Sequence, residues 1–157
     1  MILRVFEKGD EDAVVDVLRA SIKYCYSRDY SWCSEKSLQN WLKNKTPENI
    51  LSWMSAPELA HVIALTEDKI IGVGMINVET GHLGICYVHP DFMGCGVGRA
   101  ILICLEEFAV QSNCAKIHFT SSIGAQAFYE KWGAKVVGEE EGMSGEAMNP
   151  LMEKQLR

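Results

Sequence analysis

Short apolar runs alternate along this chain with longer segments in which apolar residues recur every three or four positions. Ile2, Leu3, Val5 and Phe6 predict a first strand. Val14, Val17, Leu18 and Ile22 recur at helix spacing and predict a helix opened by Asp10 as N-cap and running to about Tyr26. Ser34 opens a second helix that carries Leu38, Trp41 and Leu42. Thr46 and Pro47 mark the start of a third, with proline at the first helical position, and it ends near Ala56-Pro57. Residues 61–66 and 69–78 read as a strand pair closed by Glu67-Asp68. Glu79-Thr80-Gly81 turns the chain into a third apolar strand, 83–88. A helix follows over 97–112, a strand over 115–120 and a short helix over 125–132, stopped by Gly133. Two strands, 134–138 and 149–156, close the chain, with Glu139, Glu140, Glu141 and Gly142 between them as a solvated loop. The helix between the strands at 83–88 and 115–120 predicts a right-handed crossover, so those two strands run parallel. The order predicts a mixed α/β fold. Three antiparallel strands lead into its centre.

Where the central strand ends, Pro90 cannot donate to a sheet ladder. Gly94, Gly96 and Gly98 follow at every second position, and the helix begins at once. Free N–H groups at a helix start, with no Cβ to obstruct approach, suit an anion. The stretch Met93-Gly94-Cys95-Gly96-Val97-Gly98-Arg99 therefore predicts a phosphate or pyrophosphate site. A Walker loop is excluded, because no Gly-Lys-Ser/Thr occurs. The dinucleotide fingerprint is excluded too, because Arg99 stands where it needs a small residue.

Length and composition narrow the field. The 157 residues suit one domain, 1–157, with a single core. A net charge of −6, without a Lys/Arg cluster, argues against a nucleic-acid partner. No apolar run reaches the ~20 residues of a membrane span, and the first residues lack the basic start and apolar stretch of a signal peptide. Six cysteines occur, several inside apolar runs, which reads as reduced thiols in a cytoplasmic protein. His82, Cys86, His89 and Cys95 lack metal-ligand spacing, so no metal is expected.

Two stretches together resemble the GNAT superfamily of acetyl-CoA-dependent N-acetyltransferases. The first is Met93-Gly94-Cys95-Gly96-Val97-Gly98, similar to that family's Q/R-x-x-G-x-G/A pyrophosphate loop, with Met93 in place of Gln or Arg. The second is Ala127-Phe128-Tyr129-Glu130-Lys131-Trp132-Gly133-Ala134, similar to its A-x-x-[LF]-Y-E-K-x-G-F helix, with Ala134 in place of Phe. The resemblance covers residues 60–138 well and the first helices by topology alone. It implies a central, mostly antiparallel mixed sheet of six to seven strands flanked by helices. Acetyl-CoA is implied as cosubstrate. Its pantetheine arm would pair with the strand around Cys86, Tyr87 and Val88, with a bulge near Val88. Its pyrophosphate would lie on the N–H groups from Met93 to Arg99. A strand N–H near Tyr87 or Val88 would face the thioester oxygen. Ser122 takes the position of the family's asparagine, seven residues before the tyrosine, and Tyr129 takes that of the general acid.

The acceptor implied is an amine of a small molecule or a peptide N-terminus, attacking directly, and a homodimer is compatible with the family. Deprotonating that amine needs a base. Glu79 and His82 stand near the start of the central strand, with Glu7 a weaker choice, but each reads first as a loop or surface polar group, and no base is assigned. His118 reads as a packed histidine and Cys95 as a small residue of the loop. Tyr24, Tyr26, Tyr30, Trp32, Trp41 and Trp53 read as core packing, or as the walls of an acceptor pocket between the first helices and the strand at 83–88. A non-catalytic acyl-CoA-binding regulatory module is the alternative function. An acyltransferase using a longer chain or a hydroxyl acceptor is a weaker one.

Overall fold

The computed structural model describes residues 1–142 and 145–157. In chain order its elements are β1 (Ile2–Arg4), α1 (Glu11–Asp29), α2 (Glu35–Leu42), α3 (Pro47–Ser55), β2 (Leu59–Thr66), β3 (Lys69–Asn77), β4 (Leu83–Val88), α4 (Val97–Gln111), β5 (Lys116–Thr120), α5 (Gln126–Trp132), β6 (Lys135–Glu141) and β7 (Met148–Gln155). Short 3₁₀ turns at Pro90–Phe92 and Ile123–Ala125 precede α4 and α5. Among the described residues the seven strands form two antiparallel sheets, ordered β1-β2-β3-β4 and β5-β7-β6. They meet at one parallel bridge, His82 with His118, where the His118 N–H donates to the Gly81 carbonyl at 3.0 Å. The expected parallel relation of β4 and β5 is thus present, but only at this bridge, between the residue before β4 and the middle of β5.

The four-stranded sheet is covered on both faces, which explains why its strands read as unbroken apolar runs. Val62 and Ala64 of β2 meet α4 through Ile101, Leu102 and Leu105, while Ile63 between them meets Val14 and Leu18 of α1 and Ile50 of α3. The same alternation runs along β4, with one interruption. Leu83 faces α4, and Ile85, two residues on, faces α1. Residues two apart in a regular strand share a face. The pairing explains the switch, because Met75 opposes Ile85 while Ile76 opposes Leu83, leaving Gly84 as an extra residue. The bulge therefore sits at Gly84, whereas the sequence placed it near Val88. From Ile85 onward the ladder is regular, and Cys86 and Val88 face α4 while Tyr87 faces α1 and α2.

Helix ends follow local chemistry in part. Thr46 accepts the Asn49 N–H at 3.2 Å and Gly133 closes α5 with a left-handed φ of 109°. Asp10 occupies the N-cap position of α1 without capping it. Its carboxylate takes a bidentate pair from Arg4 at 2.8 and 3.1 Å and the Glu7 N–H at 2.8 Å. Helix α1 runs one turn past Tyr26, to Asp29. Glu139, Glu140 and Glu141, expected in a loop, continue β6 against Pro150, Asn149 and Met148. Strand β6 is the edge of its sheet, so carboxylates project to solvent without breaking the ladder. No described helix is long and apolar enough to cross a membrane.

Candidate active site

Beyond the His82–His118 bridge β4 and β5 diverge, and a cleft of about 700 Å³ opens between the two sheets. One end is walled by the glycine loop and one by α1 and α2. Nearly every residue expected at the site lines it: Cys86, Tyr87, Val88, Met93, Gly94, Gly96, Gly98, Arg99, Ser122 and Tyr129. Cys95 and Val97 belong to the same loop without lining the cleft. Cys95 is exposed, and Val97 is buried beneath α4.

The loop end is built from backbone. Gly94 and Gly96 hold left-handed φ values of 78° and 85°, and a Cβ on either would meet no atom within 4 Å. The left-handed turn aims successive N–H groups the same way, and the bare Cα leaves their approach clear. The Ala100 N–H closes the first helical bond, to Gly96 at 3.1 Å. Among the described residues the N–H groups from 94 to 99 have no protein acceptor. Such a row of free donors at the start of a fifteen-residue helix fits a pyrophosphate. Gly98 serves packing as well, since a Cβ there would lie 2.8 Å from the Phe128 ring.

The middle of the cleft carries the second set of free backbone groups. The His89 N–H donates to Ile71 at 2.8 Å, which fixes the ladder phase. Antiparallel pairing then turns Tyr87 toward β3 and leaves the N–H groups of Cys86 and Val88 on the open edge facing β5. Of the two amides expected to face a thioester, that of Tyr87 is already used by β3, while that of Val88 is on the open edge together with that of Cys86. Tyr129 projects from α5 into the same space. Its ring packs on Phe119 (centroids 4.4 Å apart) and its phenol neighbours the Cys86 thiol. Burial, and then the nearby Cys86 and Tyr87, raise the Tyr129 pKa well above that of a free phenol. Burial likewise pushes the Cys86 thiol up to about 12.

The other end is built from side chains that lie far apart in sequence. Ser21, Cys25, Arg28 and Tyr30 come from α1 and its end, Trp41 from α2, and Asn149 from β7. The Tyr30 hydroxyl donates to Asn149 Oδ1 at 2.6 Å and accepts the Ile123 N–H at 2.7 Å. Trp41 stands edge-on to Tyr30 and donates its Nε1–H to the Tyr87 hydroxyl at 3.2 Å. Arg28 is bound by Asp29 at 2.7 Å, so this pair brings little net charge. Glu140 and Glu141 also line the cleft. Of the expected aromatic group, only Tyr30 and Trp41 reach it. Tyr26 bonds the Cys33 carbonyl at 2.7 Å, Trp53 packs under α1, and Trp32 is 64% exposed. His82 lines the cleft, and burial followed by the neighbouring His118 lowers its pKa. Glu79 does not line it. It belongs to the β3–β4 turn, its N–H held by Asn77 Oδ1 at 2.9 Å. Cys25 and Arg28 lie in the aromatic stretch from Tyr24 to Trp32, whereas Ser21 and Asn149 read as ordinary helix and strand residues and carry no local signal.

All six cysteines are unpaired, and among the described residues no group of three His, Cys, Asp or Glu is placed to hold a metal. A second cleft of about 500 Å³, lined by Arg4, Asp10, Asp16, Asp68 and Lys69, lies between α1 and the β2–β3 turn and shares no residue with the first.

Comparison with known proteins places this geometry. A curated acetyltransferase of Pectobacterium atrosepticum is 27% identical over 121 residues, 75% of this chain and 74% of that protein. The crystal structure of a GCN5-related N-acetyltransferase from Rhodopseudomonas palustris superposes with a TM-score of 0.86 at 24% identity, covering 99% of this chain and 95% of that one. That of the PaiA N-acetyltransferase from Thermoplasma acidophilum, in complex with coenzyme A, superposes with a TM-score of 0.82 at 20% identity, covering 98% of both chains. The model of the acetyltransferase (GNAT) family matches residues 20–134, which include the whole of β4, the glycine loop and Tyr129. By that match the chain belongs to the GNAT family and is an acetyl-CoA-dependent acyltransferase.

Proposed function

We propose that this chain, as one domain over residues 1–157, moves an acetyl group from acetyl-CoA to the amine of a small molecule or peptide N-terminus by direct attack. The observation that carries the reading is the coincidence, in one cleft, of three features. They are the free N–H row at 94–99, the open edge of β4 at Cys86 and Val88, and the buried phenol of Tyr129. Together they match what a thioester on a long pyrophosphate-bearing arm needs. The pyrophosphate lies on the loop, with Arg99 at the rim as a cation. The pantetheine arm pairs with β4 as an added strand would. Ser122, at the head of the 3₁₀ turn before α5, borders the arm's path. The Cys86 or Val88 N–H stabilises the oxyanion as the amine adds.

Tyr129 then donates to the departing sulfur. A thiol has an ordinary pKa of about 8.5 and a phenol about 10, so the transfer is not strongly downhill in water. Burial alters both acids alike. The neighbouring Cys86 thiol, raised to about 12, shows what this environment does to a sulfur. Burial disfavours the charged form of each acid, so hydrogen-bond geometry to the sulfur, rather than acidity, governs the transfer. His82 is the group lining the cleft that suits the amine's proton, taken through water. Burial keeps its imidazole neutral near pH 7 and so able to accept. Glu140 and Glu141 favour a cationic acceptor by attraction. The unpaired cysteines support a cytoplasmic setting.

Release of CoA thiol from acetyl-CoA, followed with a panel of primary amines, tests the reading. Acetylated amine should form in step with CoA. Tight CoA binding with no amine-dependent thiol release would instead support the regulatory module.

A further inference from the structure

Residues 145–147, which lead into β7, are bound to the first helices in a way the transfer reaction does not require. Both oxygens of Glu146 are used. Oε2 accepts the Ser34 N–H at 3.2 Å, and Oε1 accepts the Ser37 hydroxyl at 2.6 Å and the Ser34 hydroxyl. A carboxylate at the start of α2 also meets the positive end of the helix dipole. These bonds hold its pKa below the usual carboxylate range. One residue on, Ala147 is 2% exposed and packs among Cys25, Tyr30, Cys33 and Trp41. Two further on, the buried Asn149 accepts from Tyr30. Three consecutive attachments thus fasten residues 145–149 across the side-chain-built end of the cleft. They tie the second sheet to α1 and α2, more than a hundred residues away in sequence.

From this geometry we infer that Glu146 is a positioning residue for the acceptor half. It latches residues 145–149 as a strap that closes this half behind Ala147 and limits which acceptors enter. The inference rests on the proposed division of the cleft into cofactor and acceptor ends. The latch is the part that can be released singly. Ala147 and Asn149 are buried, whereas Glu146 lies at the surface and holds through polar bonds alone. When it lets go, Ala147 keeps the Gly142 N–H on its carbonyl at 3.1 Å but loses its tie to α2, and its lifting from α1 and α2 uncovers Cys25 and Cys33. Cys25 itself lines the cleft, so its reactivity reports access to the acceptor half directly.

The test is the alkylation rate of each cysteine by iodoacetamide in the intact native protein, read by peptide mass spectrometry. It needs no acceptor and no turnover, so it stands apart from the acetyl-transfer assay. In Glu146→Gln and Glu146→Ala, Cys25 and Cys33 should react about tenfold faster than in wild type, as local opening becomes cheaper. Ser37→Ala, which removes one bond, should give a smaller increase of the same kind. Cys114, buried elsewhere with its thiol on the Val78 carbonyl at 3.1 Å, should keep its rate, and CoA affinity should stay within about twofold. Unchanged rates at Cys25 and Cys33 would overturn the inference. So would a rise shared by Cys114, which would mean general loosening.

Discussion

On the proposed reading, the two ends of the cleft recognise by opposite means. At the proposed cofactor end a run of six residues, 94–99, supplies main-chain N–H groups whose direction follows from two left-handed glycines, while the Met93 N–H, also expected there, is taken by the Pro90 carbonyl at 3.3 Å. At the acceptor end the groups are side chains, brought from α1, α2, β4 and β7 and held by one another. Tyr30 reaches 119 residues to Asn149, and Trp41 reaches 46 to Tyr87. The ligand of the first end presents the same diphosphate whatever acyl group it carries, and a backbone cradle changes little when side chains vary. The second end can be rebuilt one side chain at a time without disturbing the first. Specificity and cofactor use are therefore physically separable in this fold.

Substitutions sharpen that separation, and the largest effect is expected where the two ends meet. Tyr129→Phe keeps the ring on Phe119 and removes only the hydroxyl, and with it the proton. We expect kcat to fall on the order of 10²–10⁴ with the KM for acetyl-CoA little changed. A kcat within about threefold of wild type, under chemistry-limited conditions, would leave solvent as the proton source. Next comes Gly96→Val. Its Cβ would meet no neighbour in the folded chain, but a left-handed φ strains a β-branched residue, and the side chain enters the space a phosphate needs. Calorimetry should show CoA binding about a hundredfold weaker. Gly9→Val is the control. It imposes the same kind of strain at a φ of 111° away from the loop, and should leave CoA affinity unchanged.

The smallest effect concerns the helices behind the acceptor end. Lys45, between α2 and α3, is 6% exposed, and Asn44 Oδ1 at 2.7 Å is its sole described partner. Burial lowers its pKa from 10.5 to about 8. Below pH 8 the ammonium is carried into the folded state at full cost. Between pH 8 and 10.5 the folded chain releases its proton while the unfolded chain keeps it, so this group makes stability rise with pH. Lys45→Met should stabilise the protein at pH 7 by about 1–2 kcal/mol, and the gain should shrink as pH approaches 10. Denaturant melts at pH 7 and 10 check it. A gain independent of pH would assign the effect to packing.

The same contrast explains what the sequence could show. The glycine loop is contiguous, so its spacing predicted the strand-to-helix turn and the row of free N–H groups. The Thr46-Pro47 start and the Gly133 stop are equally local and were legible for that reason. Asp10 shows the limit. Its type suits a cap, but Arg4 across the loop takes its carboxylate. The bulge at Gly84 left no local mark, because a glycine in an apolar strand reads the same with or without an extra residue. Glu139 to Glu141 resemble a loop because an edge strand may carry carboxylates on the side facing water. The acceptor end was legible only as a surplus of aromatic residues. Which of them reach the cleft depends on contacts such as Tyr30 with Asn149, and no spacing within either segment encodes them.

The central claim is that main-chain N–H groups of one loop hold the diphosphate of CoA. Titrating CoA into ¹⁵N-labelled protein and following every backbone amide tests it most directly. The largest shifts should fall on residues 94–99, with a second group at Cys86 and Val88 on the open edge of β4, while Tyr87, paired to β3, moves less. Shifts centred on the other cleft, around Asp16, Asp68 and Lys69, with residues 94–99 unmoved at saturation, would contradict the account.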